Sequence, residues 1–195
     1  MKILLISDDE KSYLWDHFDA EPFKGIELII SAGDLEAEYL SYIVTVIKAP
    51  LFYVTGNHDT AYAKKPPEGC DSIDDKLVKY KNLRILGLGG SKRYNEKELQ
   101  YSEKQMKKRI SKLHYSLWRN KGFDILVTHS AAYGLGDGKD LCHEGFQCFN
   151  DLLDKYSPKY YIHGHQHLTY GRQERIIRYK DTTIINAHGY HILEY

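Results

Sequence analysis

The chain has 195 residues, of which 42% are hydrophobic and 28% are charged. Its 27 basic residues balance its 27 acidic ones, which excludes a global positive field of the kind that holds nucleic acid. This length and composition predict one soluble globular domain over residues 1–195, large enough to fold without a disulfide or a structural metal ion.

The cysteines and the N-terminus bear on the cellular compartment. The three cysteines, Cys70, Cys142 and Cys148, are odd in number and have no Cys-x-x-Cys spacing, which favours free thiols in a reducing environment. The apolar run at residues 3–6 is too short for the core of a signal peptide or for a membrane span. We therefore expect a cytoplasmic protein without a membrane partner.

The first third of the chain alternates apolar runs with helical patterns. The predicted elements are a strand at 2–7, a short helix within 11–24 that ends before Pro22, a strand at 26–31, a helix through 40–47 and a strand at 51–55. The second helix is predicted because Leu40, Ile43, Val44 and Ile47 recur at helical spacing. This βαβαβ order implies parallel strands joined by right-handed crossovers.

The rest of the chain continues the alternation. The predicted elements are a surface loop at 60–76, a strand at 83–88, an amphipathic helix at 102–121, a strand at 125–128, a helix lined by Phe146, Phe149, Leu153 and Tyr156, and a strand at 160–163. The basic face of the 102–121 helix is interpreted as a solvated surface, with contact to a polyanion as the alternative. Strand patterns at 175–179, 182–186 and 190–195 predict an antiparallel run on a second sheet.

Polar side chains follow the predicted strands at the points where the strands end. They are carboxylates, imidazoles and one amide, at Asp8, Asp9, Glu10, Asp34, Asn57, His58, Asp59, His129, His165 and His167. Because the carboxyl ends of parallel strands meet along one edge of a sheet, we expect these groups to converge there. With no cysteine among them, they suit divalent metals such as Mn²⁺, Fe or Zn²⁺. Any one of them alone would be interpreted as a cap, a turn or a core polar residue, but the set favours metal ligation.

The order of these residues resembles the five-block signature of the calcineurin-like metallophosphoesterases, which runs D-x-H, G-D, G-N-H-[DE], a lone His and G-H-x-H. The blocks here are Asp8-Asp9-Glu10, Gly33-Asp34, Gly56-Asn57-His58-Asp59, His129 and Gly164-His165-Gln166-His167. Each block is short, but five in order, each after a predicted strand, make a specific pattern that spans residues 8–167.

The resemblance implies a fold, a cofactor and a role for each matched residue. The implied fold is an α/β four-layer αββα sandwich, in which two mixed β-sheets are flanked by helices. Two divalent metal ions are implied, held by Asp8, Glu10 and His167 on the first, by Asn57, His129 and His165 on the second, and by Asp34 as a bridge. His58 is implied to be the catalytic residue that donates a proton to the leaving-group oxygen.

These implied roles have physical reasons. Two cations roughly 3.5–4 Å apart can clamp the attacking and leaving oxygens of an in-line displacement. They also lower the pKa of bound water from ~15.7 toward ~7, which makes hydroxide available at neutral pH. A bridging group between two close dications has to be anionic, which suits the aspartate at position 34.

The first block departs from the family at Glu10, where the signature has histidine. The register with Asp8 and Glu10 is preferred, because a shift by one residue would put Lys11 at the second ligand position. Asp8, Glu10, Asp34 and one hydroxide would neutralise two dications, so we expect tighter metal binding and weaker attraction for phosphate. The added oxygen ligand favours Mn²⁺, with Fe, Zn²⁺ and Ni²⁺ as alternatives.

Three further residues are considered near the site. His143 precedes a predicted helix and is a candidate for binding substrate phosphate, with an ordinary surface histidine as the alternative. Arg93, which follows Gly89-Gly90, is a second candidate for contact with substrate. Asp59 is interpreted as an acceptor for nearby backbone N–H groups and not as a catalytic acid.

The sequence therefore predicts a metal-dependent phosphoester hydrolase that acts on a phosphomonoester or phosphodiester of a small molecule, nucleotides included. A nucleic acid is disfavoured as substrate by the balanced charge, and the oligomeric state is left open. The alternative is a catalytically weak regulatory protein that binds nucleotide or phosphate on the same fold, and Glu10 motivates it.

Overall fold

The structure is a computed structural model that describes residues 1–15, 18–168 and 174–195. Its strands are β1 (Lys2–Ser7), β2 (Ile26–Ser31), β3 (Leu51–Tyr53), β4 (Cys70–Ser72), β5 (Lys76–Tyr80), β6 (Leu83–Leu88), β7 (Ser91–Lys92), β8 (Gln100–Tyr101), β9 (Ile125–Thr128), β10 (Tyr160–His163), β11 (Ile176–Tyr179), β12 (Thr182–Asn186) and β13 (Gly189–Glu194). Its α-helices are α1 (Ser12–Trp15), α2 (Ala37–Ile47), α3 (Glu103–Lys112), α4 (His114–Arg119) and α5 (Gln147–Tyr156). Short 3₁₀ helices cover Glu21–Phe23 and Asp59–Ala63.

The strands form two large mixed sheets and one small pair. The first sheet has the order β13-β1-β2-β3-β4, in which β13 is antiparallel to β1 and the other neighbours are parallel. The second sheet has the order β11-β12-β10-β9-β6-β5, with a parallel centre and an antiparallel strand at each edge. β7 pairs in parallel with β8.

Three hydrophobic cores separate four layers of secondary structure. Between the two sheets, inward-facing residues such as Ile30 of β2 and Val127 of β9 pack together. The outer face of the first sheet is covered by α2, which contributes Leu40. The outer face of the second sheet is covered by α3, α4 and α5, and Phe149 of α5 lies in that core. This arrangement confirms the predicted αββα sandwich.

The two helices predicted from apolar spacing near 40–47 and 146–156 form where their apolar faces meet a sheet. α2 buries Leu40 and Ile43, and α5 buries Phe149 and Leu153. Their stability comes mainly from this packing, because helices of this length are marginal alone. Among the described residues, the structure contains no helix long and apolar enough to cross a bilayer.

The prediction of one continuous helix at 102–121 is wrong. The N–H of Leu113 bonds to the carbonyl of Ile110, three residues back, and this tightened turn ends α3. α4 then begins at the next residue. With this geometry Leu113 and Leu117 both lie in the core beside the second sheet.

The predicted loop at 60–76 contains regular structure. The second 3₁₀ helix occupies its start, and β4 pairs in parallel with β3 at the edge of the first sheet. None of the three side chains of β4 is buried. The sequence therefore lacks the apolar alternation by which such a strand could be recognised.

The strands of the tail are divided between the two sheets, which corrects the prediction of an antiparallel run on a second sheet. β11 and β12 are antiparallel to each other there, but β12 is also parallel to β10. The chain then crosses to the first sheet. Ala187 donates its N–H to the carbonyl of His163, and His188 pairs with Ser7. β13 consequently lies beside β1.

Among the described residues of 11–24, helical structure is found in α1 and in the 3₁₀ helix at Glu21–Phe23. Pro22 lies inside this 3₁₀ helix and not beyond the end of a helix. A proline fits the first turn because the N–H that it lacks would have no partner there. Residues 16 and 17 of the expected helix lie outside the described residues.

Candidate metal centre

The loops that follow five parallel strands lie together where the two sheets meet. After β1, β2, β3, β9 and β10 they carry, respectively, Asp8, Asp34, Asn57, His129 and His165. Hydrogen bonds join the ends of different sheets. The N–H of His165 donates to both carboxylate oxygens of Asp8, at 3.0 and 2.9 Å. A ring nitrogen of His129 bonds to the carbonyl of Ala32 at 2.8 Å.

Two glycines allow the loops after β2 and β3 to touch. Gly33 has a φ of 93°, and a Cβ atom there would lie 2.4 Å from the backbone nitrogen of Gly56. A Cβ atom on Gly56 would lie 2.0 Å from Oδ1 of Asp34. Either side chain would push the loops apart, so glycine is required at both positions for Asp34 to reach the second loop.

Three of the candidate ligands have left-handed backbone conformations. The φ angle is 62° at Asp8, 57° at Asp34 and 66° at His165. For residues other than glycine this conformation costs about 1–3 kcal/mol each and persists only where surrounding contacts hold it. Strain at three neighbouring polar residues is typical of a functional site.

Ligand atoms of several residues converge on one point. One atom from each of Asp34, His129 and His165 lies within 4.8 Å of the other two. Nε2 of His129 is 3.2 Å from Oδ2 of Asp34 and 3.0 Å from Oδ1 of Asn57. His129 and Asn57 are buried. A carboxylate, two imidazoles and an amide oxygen in this arrangement form a donor set that fits a divalent cation.

Backbone carbonyls fix the orientation of both imidazoles. Nδ1 of His129 is 2.8 Å from the carbonyl of Ala32, and Nε2 of His165 is 2.8 Å from the carbonyl of Cys142. A nitrogen that bonds to a carbonyl oxygen must carry a proton. The opposite nitrogens, Nε2 of His129 and Nδ1 of His165, are therefore the ones left for a metal ion.

The buried charges also favour a cation at this point. Burial alone lowers the pKa of His129, but the Asp34 carboxylate outweighs it and, without a bound cation, raises this pKa to about 10. Burial raises the pKa of Asp34, but the facing His129 imidazolium outweighs it and lowers this pKa to about 2. Burial and the nearby charge on His129 lower the pKa of His165 to about 3, so that ring is neutral. The proton on His129 thus provides the charge that a metal ion would bring.

Asp59 stabilises this arrangement from outside the cluster. It is buried, and its Oδ2 accepts hydrogen bonds from the N–H groups of Asp34 at 2.9 Å and Gly56 at 2.7 Å. Burial and the adjacent Asp34 charge raise the pKa of Asp59 to about 7. The carboxylate joins the loops after β2 and β3, in the role of backbone acceptor that the sequence indicated.

The residues implied for a first metal ion are less closely gathered. Asp8 and His167 line the same cleft as Asp34. His167 is exposed, and its ring centroid is 4.9 Å from that of His188. Burial raises the pKa of the Asp8 carboxyl group. Asp8, His167 and Asp34 are the residues that could hold a cation at this side of the cleft.

Glu10 lies apart from the other candidate ligands. Its side chain is exposed, and its Oε1 accepts a hydrogen bond from the N–H of Glu36 at 2.7 Å. Glu36 is the N-cap residue of α2, so Glu10 satisfies a backbone donor at the N-terminus of that helix. Glu10 is not among the residues that line the cleft. Metal ligation by Glu10 stays a prediction, and it requires the carboxylate to leave this bond.

A cleft of about 320 Å³ opens onto the cluster. It is lined by Asp8, Asp34, His58, Tyr94, Cys142, His143, His165 and His167. The backbone N–H of His58 donates to Oδ1 of Asp34 at 2.8 Å, while the side chain of His58 is exposed. Within the described part of the chain, no hydrogen bond is made by the His58 ring. It is therefore available to a ligand in the cleft.

The two candidate substrate-binding residues have different positions. His143 lines the cleft, and its Nδ1 is 2.8 and 2.9 Å from the two carboxylate oxygens of Asp140. This pair orients the ring toward the cleft, with its centroid 5.2 Å from that of His165. Arg93 does not line the cleft. Its guanidinium donates instead to Oε1 of Gln105 at 3.1 Å, beside the start of α3.

Tyr94, which sequence reasoning missed, lines the cleft in place of its neighbour Arg93. Nδ2 of Asn57 donates a hydrogen bond to the Tyr94 hydroxyl at 3.2 Å. Burial and the nearby Cys142 and Asp34 raise the pKa of Tyr94. A tyrosine in a chain with 17 tyrosines carries no signal of its own. Only the conformation of the 91–101 segment reveals it.

Comparisons with known proteins agree with this geometry. The family model for calcineurin-like phosphoesterases matches residues 1–168. No curated protein matches the chain. One solved crystal structure has a TM-score of 0.67 at 14% identity, covering 98% of this chain and 94% of that one. The crystal structure of TT1561 of Thermus thermophilus has a TM-score of 0.65 at 15% identity, covering 96% of this chain and 89% of that one.

A third solved structure, of a novel archaeal phosphodiesterase, has a TM-score of 0.47 at 15% identity and covers 97% of this chain and 84% of that one. At such identities the likeness to the first two structures shows the fold alone. The family match is of a different kind, because it covers residues 1–168 and so includes every strand-end residue of the cleft. The chain therefore belongs to the calcineurin-like phosphoesterase family.

Proposed function

We propose that the protein is a metal-dependent phosphoester hydrolase that acts on a phosphomonoester or phosphodiester of a small molecule. One observation carries the proposal: Asp34, Asn57, His129 and His165 aim ligand atoms at one point beside an open cleft. The His58 imidazole, which makes no hydrogen bond within the described residues, lines the same cleft. Ligands for a cation next to an available proton donor are what phosphoester hydrolysis requires.

The proposed cofactor is a pair of divalent cations, Mn²⁺ in the first place, with Fe, Zn²⁺ and Ni²⁺ as alternatives. The chemistry that these ions supply when bound is acidification of water and neutralisation of charge on the phosphoryl group. Asp34, Asn57, His129 and His165 would hold one ion, and Asp8, His167 and Asp34 would hold the other. Oxygen atoms from carboxylate and amide groups favour Mn²⁺ in this mixed set.

The chain's own side chains would orient the substrate and move one proton. His58 would donate a proton to the leaving-group oxygen, because its exposed ring faces the cleft and only its backbone is anchored, on Asp34. His143, oriented by Asp140, would bind a phosphoryl oxygen. Asp59 would hold the loops that carry Asp34 and Asn57 at a fixed distance from each other.

The proposed substrate is a small phosphorylated molecule, with nucleotides included, and the proposed compartment is the cytoplasm. A cleft of about 320 Å³ is large enough for a phosphate and part of a small organic group. The three cysteines are free in the structure, and Cys142 is exposed at the cleft, as is typical of a reducing compartment.

The test measures how the activity of the metal-reloaded protein depends on the leaving group of the ester. Protein stripped with a chelator and reloaded with Mn²⁺, Zn²⁺, Ni²⁺ or Fe²⁺ would be assayed on p-nitrophenyl phosphate, its bis-ester and phenyl phosphate. We expect turnover only with added metal. His58→Asn should lose about 10²–10⁴-fold on phenyl phosphate, whose leaving group needs a proton, and less on the p-nitrophenyl esters.

Two results would reject this assignment. If His58→Asn loses activity equally on all esters, His58 does not donate a proton to the leaving group. Absence of turnover with every metal, together with a rise in melting temperature on adding nucleotides, would identify a regulatory binding protein on the same fold.

A further inference from the structure

The described wall of the cleft offers few of the cationic side chains that usually bind phosphate. Among the described residues that line it, there is no arginine and no lysine. Arg93 bonds to Gln105, and the nearby Lys92 is paired with Glu144 at 2.6 Å. The donors that the described wall does present to a phosphoryl group include the Tyr94 hydroxyl and the imidazole of His143.

Tyr94 is one of these donors, and its hydroxyl has a defined orientation. Nδ2 of Asn57 donates to this hydroxyl at 3.2 Å. The oxygen acts as acceptor in that bond, so its own proton is available for a second bond. Because phenols are protonated at neutral pH, the hydroxyl remains a donor under ordinary conditions.

The backbone around Tyr94 is held in place by a buried glutamine. Oε1 of Gln100 accepts hydrogen bonds from the N–H groups of Tyr94 at 3.2 Å and Asn95 at 3.1 Å. Gln100 is 3% exposed, and it lies in β8, which pairs with β7 at the other end of the segment. A wall residue fixed in this way loses little conformational freedom when it contacts a ligand.

A second contact ties this wall to the wall that carries His143. The ion pair between Lys92 and Glu144 joins the 91–101 segment to the loop before α5. Nζ of Lys92 also lies 3.5 Å from the carbonyl of Gly145. Tyr94 and His143 therefore face the same cleft from two segments that are fastened to each other.

We infer that the Tyr94 hydroxyl donates a hydrogen bond to a non-bridging oxygen of the phosphoryl group of the substrate. The inference rests on the proposed phosphoester hydrolysis and assigns Tyr94 as a residue that contacts the reacting group. The amide of Asn57 then has two roles, since its oxygen faces the metal cluster and its nitrogen positions the phenol. A preorganised hydrogen-bond donor that points at developing negative charge stabilises the transition state.

The test compares Tyr94→Phe with wild type and with Tyr115→Phe as a matched control. Tyr115 lies on α4, is 66% exposed and does not line the cleft. On Mn²⁺-loaded protein, kcat/KM on p-nitrophenyl phosphate and the affinity for inorganic phosphate by calorimetry would be measured. The affinity for Mn²⁺ would be measured on metal-free protein. For Tyr94→Phe we expect kcat/KM to fall about 10- to 100-fold and phosphate binding to weaken about tenfold. Mn²⁺ affinity and all values for Tyr115→Phe should stay at the wild-type level.

Two outcomes would overturn the inference. Wild-type phosphate affinity and kcat/KM in Tyr94→Phe would show that the hydroxyl does not contact the phosphoryl group. If a fall in Mn²⁺ affinity accounts for the whole loss of kcat/KM and of phosphate affinity, Tyr94 only positions Asn57. If wild type binds phosphate but turns over no ester, the proposed function fails, while phosphate calorimetry on Tyr94→Phe still decides this inference.

Discussion

Asp34 has a partner on each side of its carboxylate. Oδ1 accepts the backbone N–H of His58 at 2.8 Å, and Oδ2 lies 3.2 Å from Nε2 of His129. Its own N–H donates to Asp59. The residue therefore links the candidate proton donor, the buried imidazole and the scaffold. This explains why the loop after β2 tolerates a left-handed aspartate beside a glycine.

Glu10 is the residue at which this chain differs from its family's signature. Its carboxylate bonds to the N–H of Glu36, so replacing it removes one exposed acceptor and changes little in the core. We expect Glu10→His to raise kcat/KM on an aryl phosphate about tenfold, equivalent to about 1.4 kcal/mol, because an imidazole adds a neutral ligand and restores positive charge.

Glu10→Gln is the control for that substitution, since it keeps an oxygen for the Glu36 N–H but removes the charge. The measurement is steady-state kinetics on metal-loaded variants whose melting temperatures match wild type. Unchanged or lower kcat/KM in a folded, metal-loaded Glu10→His protein would contradict the charge argument.

Among the elements, those with a strong apolar pattern could be predicted and those without one could not. β1 and β2 are mainly apolar because both of their faces pack against a core, and α2 shows helical spacing because it buries one face. β4 has no buried side chain, and β7 and β8 have two residues each. The break between α3 and α4 lies at the backbone turn of Leu113, whose N–H bonds back to Ile110, and no periodicity records it.

The site was predictable to the extent that it lies directly after strands. Asp34, Asn57, His129 and His165 occupy such positions and do come together. Tyr94 lies in the segment between β7 and β8, and its position is set by the side chain of Gln100. Contacts of this kind connect residues through space and leave no fixed spacing in the sequence. Placement of loop residues therefore required the structure.

The ion pair between Lys92 and Glu144 tests whether the two wall segments act together. Both side chains are partly buried, at 25% and 35% exposure, so the pair is screened less than a surface pair. We expect Glu144→Gln to raise KM for the aryl phosphate about three- to tenfold, with little change in kcat, because the wall segments lose their connection.

Asp154→Asn serves as the matched control, because it breaks the exposed pair with Lys180 outside the cleft. Steady-state kinetics on both variants gives KM and kcat. An equal effect of the two substitutions, or none from Glu144→Gln, would show that the Lys92 contact is irrelevant to substrate binding.

At the scale of the whole molecule, the buried His129–Asp34 pair makes the stability of the metal-free protein depend on pH. The pKa of His129 rises from its ordinary 6.5 to about 10, so its contribution is complete below about pH 6.5 and is lost as the pH rises through about 10. The pKa of Asp34 falls from 3.8 to about 2, so its contribution is present above about pH 3.8 and is lost as the pH falls through about 2.

Metal binding should therefore release a proton. A cation at the cluster replaces the proton on His129, so near pH 7.5 we expect about one proton to be released per ion bound there. Mn²⁺ calorimetry in buffers of different ionisation enthalpy measures this number. Binding heats that do not change with the buffer would mean that His129 is already neutral in the metal-free protein.

The central claim is that one cleft, at the strand ends, holds both the cations and the phosphoryl group. The most direct test is a crystal structure of protein soaked with Mn²⁺ and phosphate, with the metal located by anomalous scattering. We predict an anomalous peak between Asp34, Asn57, His129 and His165, and a phosphate within hydrogen-bonding distance of the Tyr94 hydroxyl. If crystals saturated with Mn²⁺ show no anomalous peak at these four residues, or show peaks only outside the cleft, the account is contradicted.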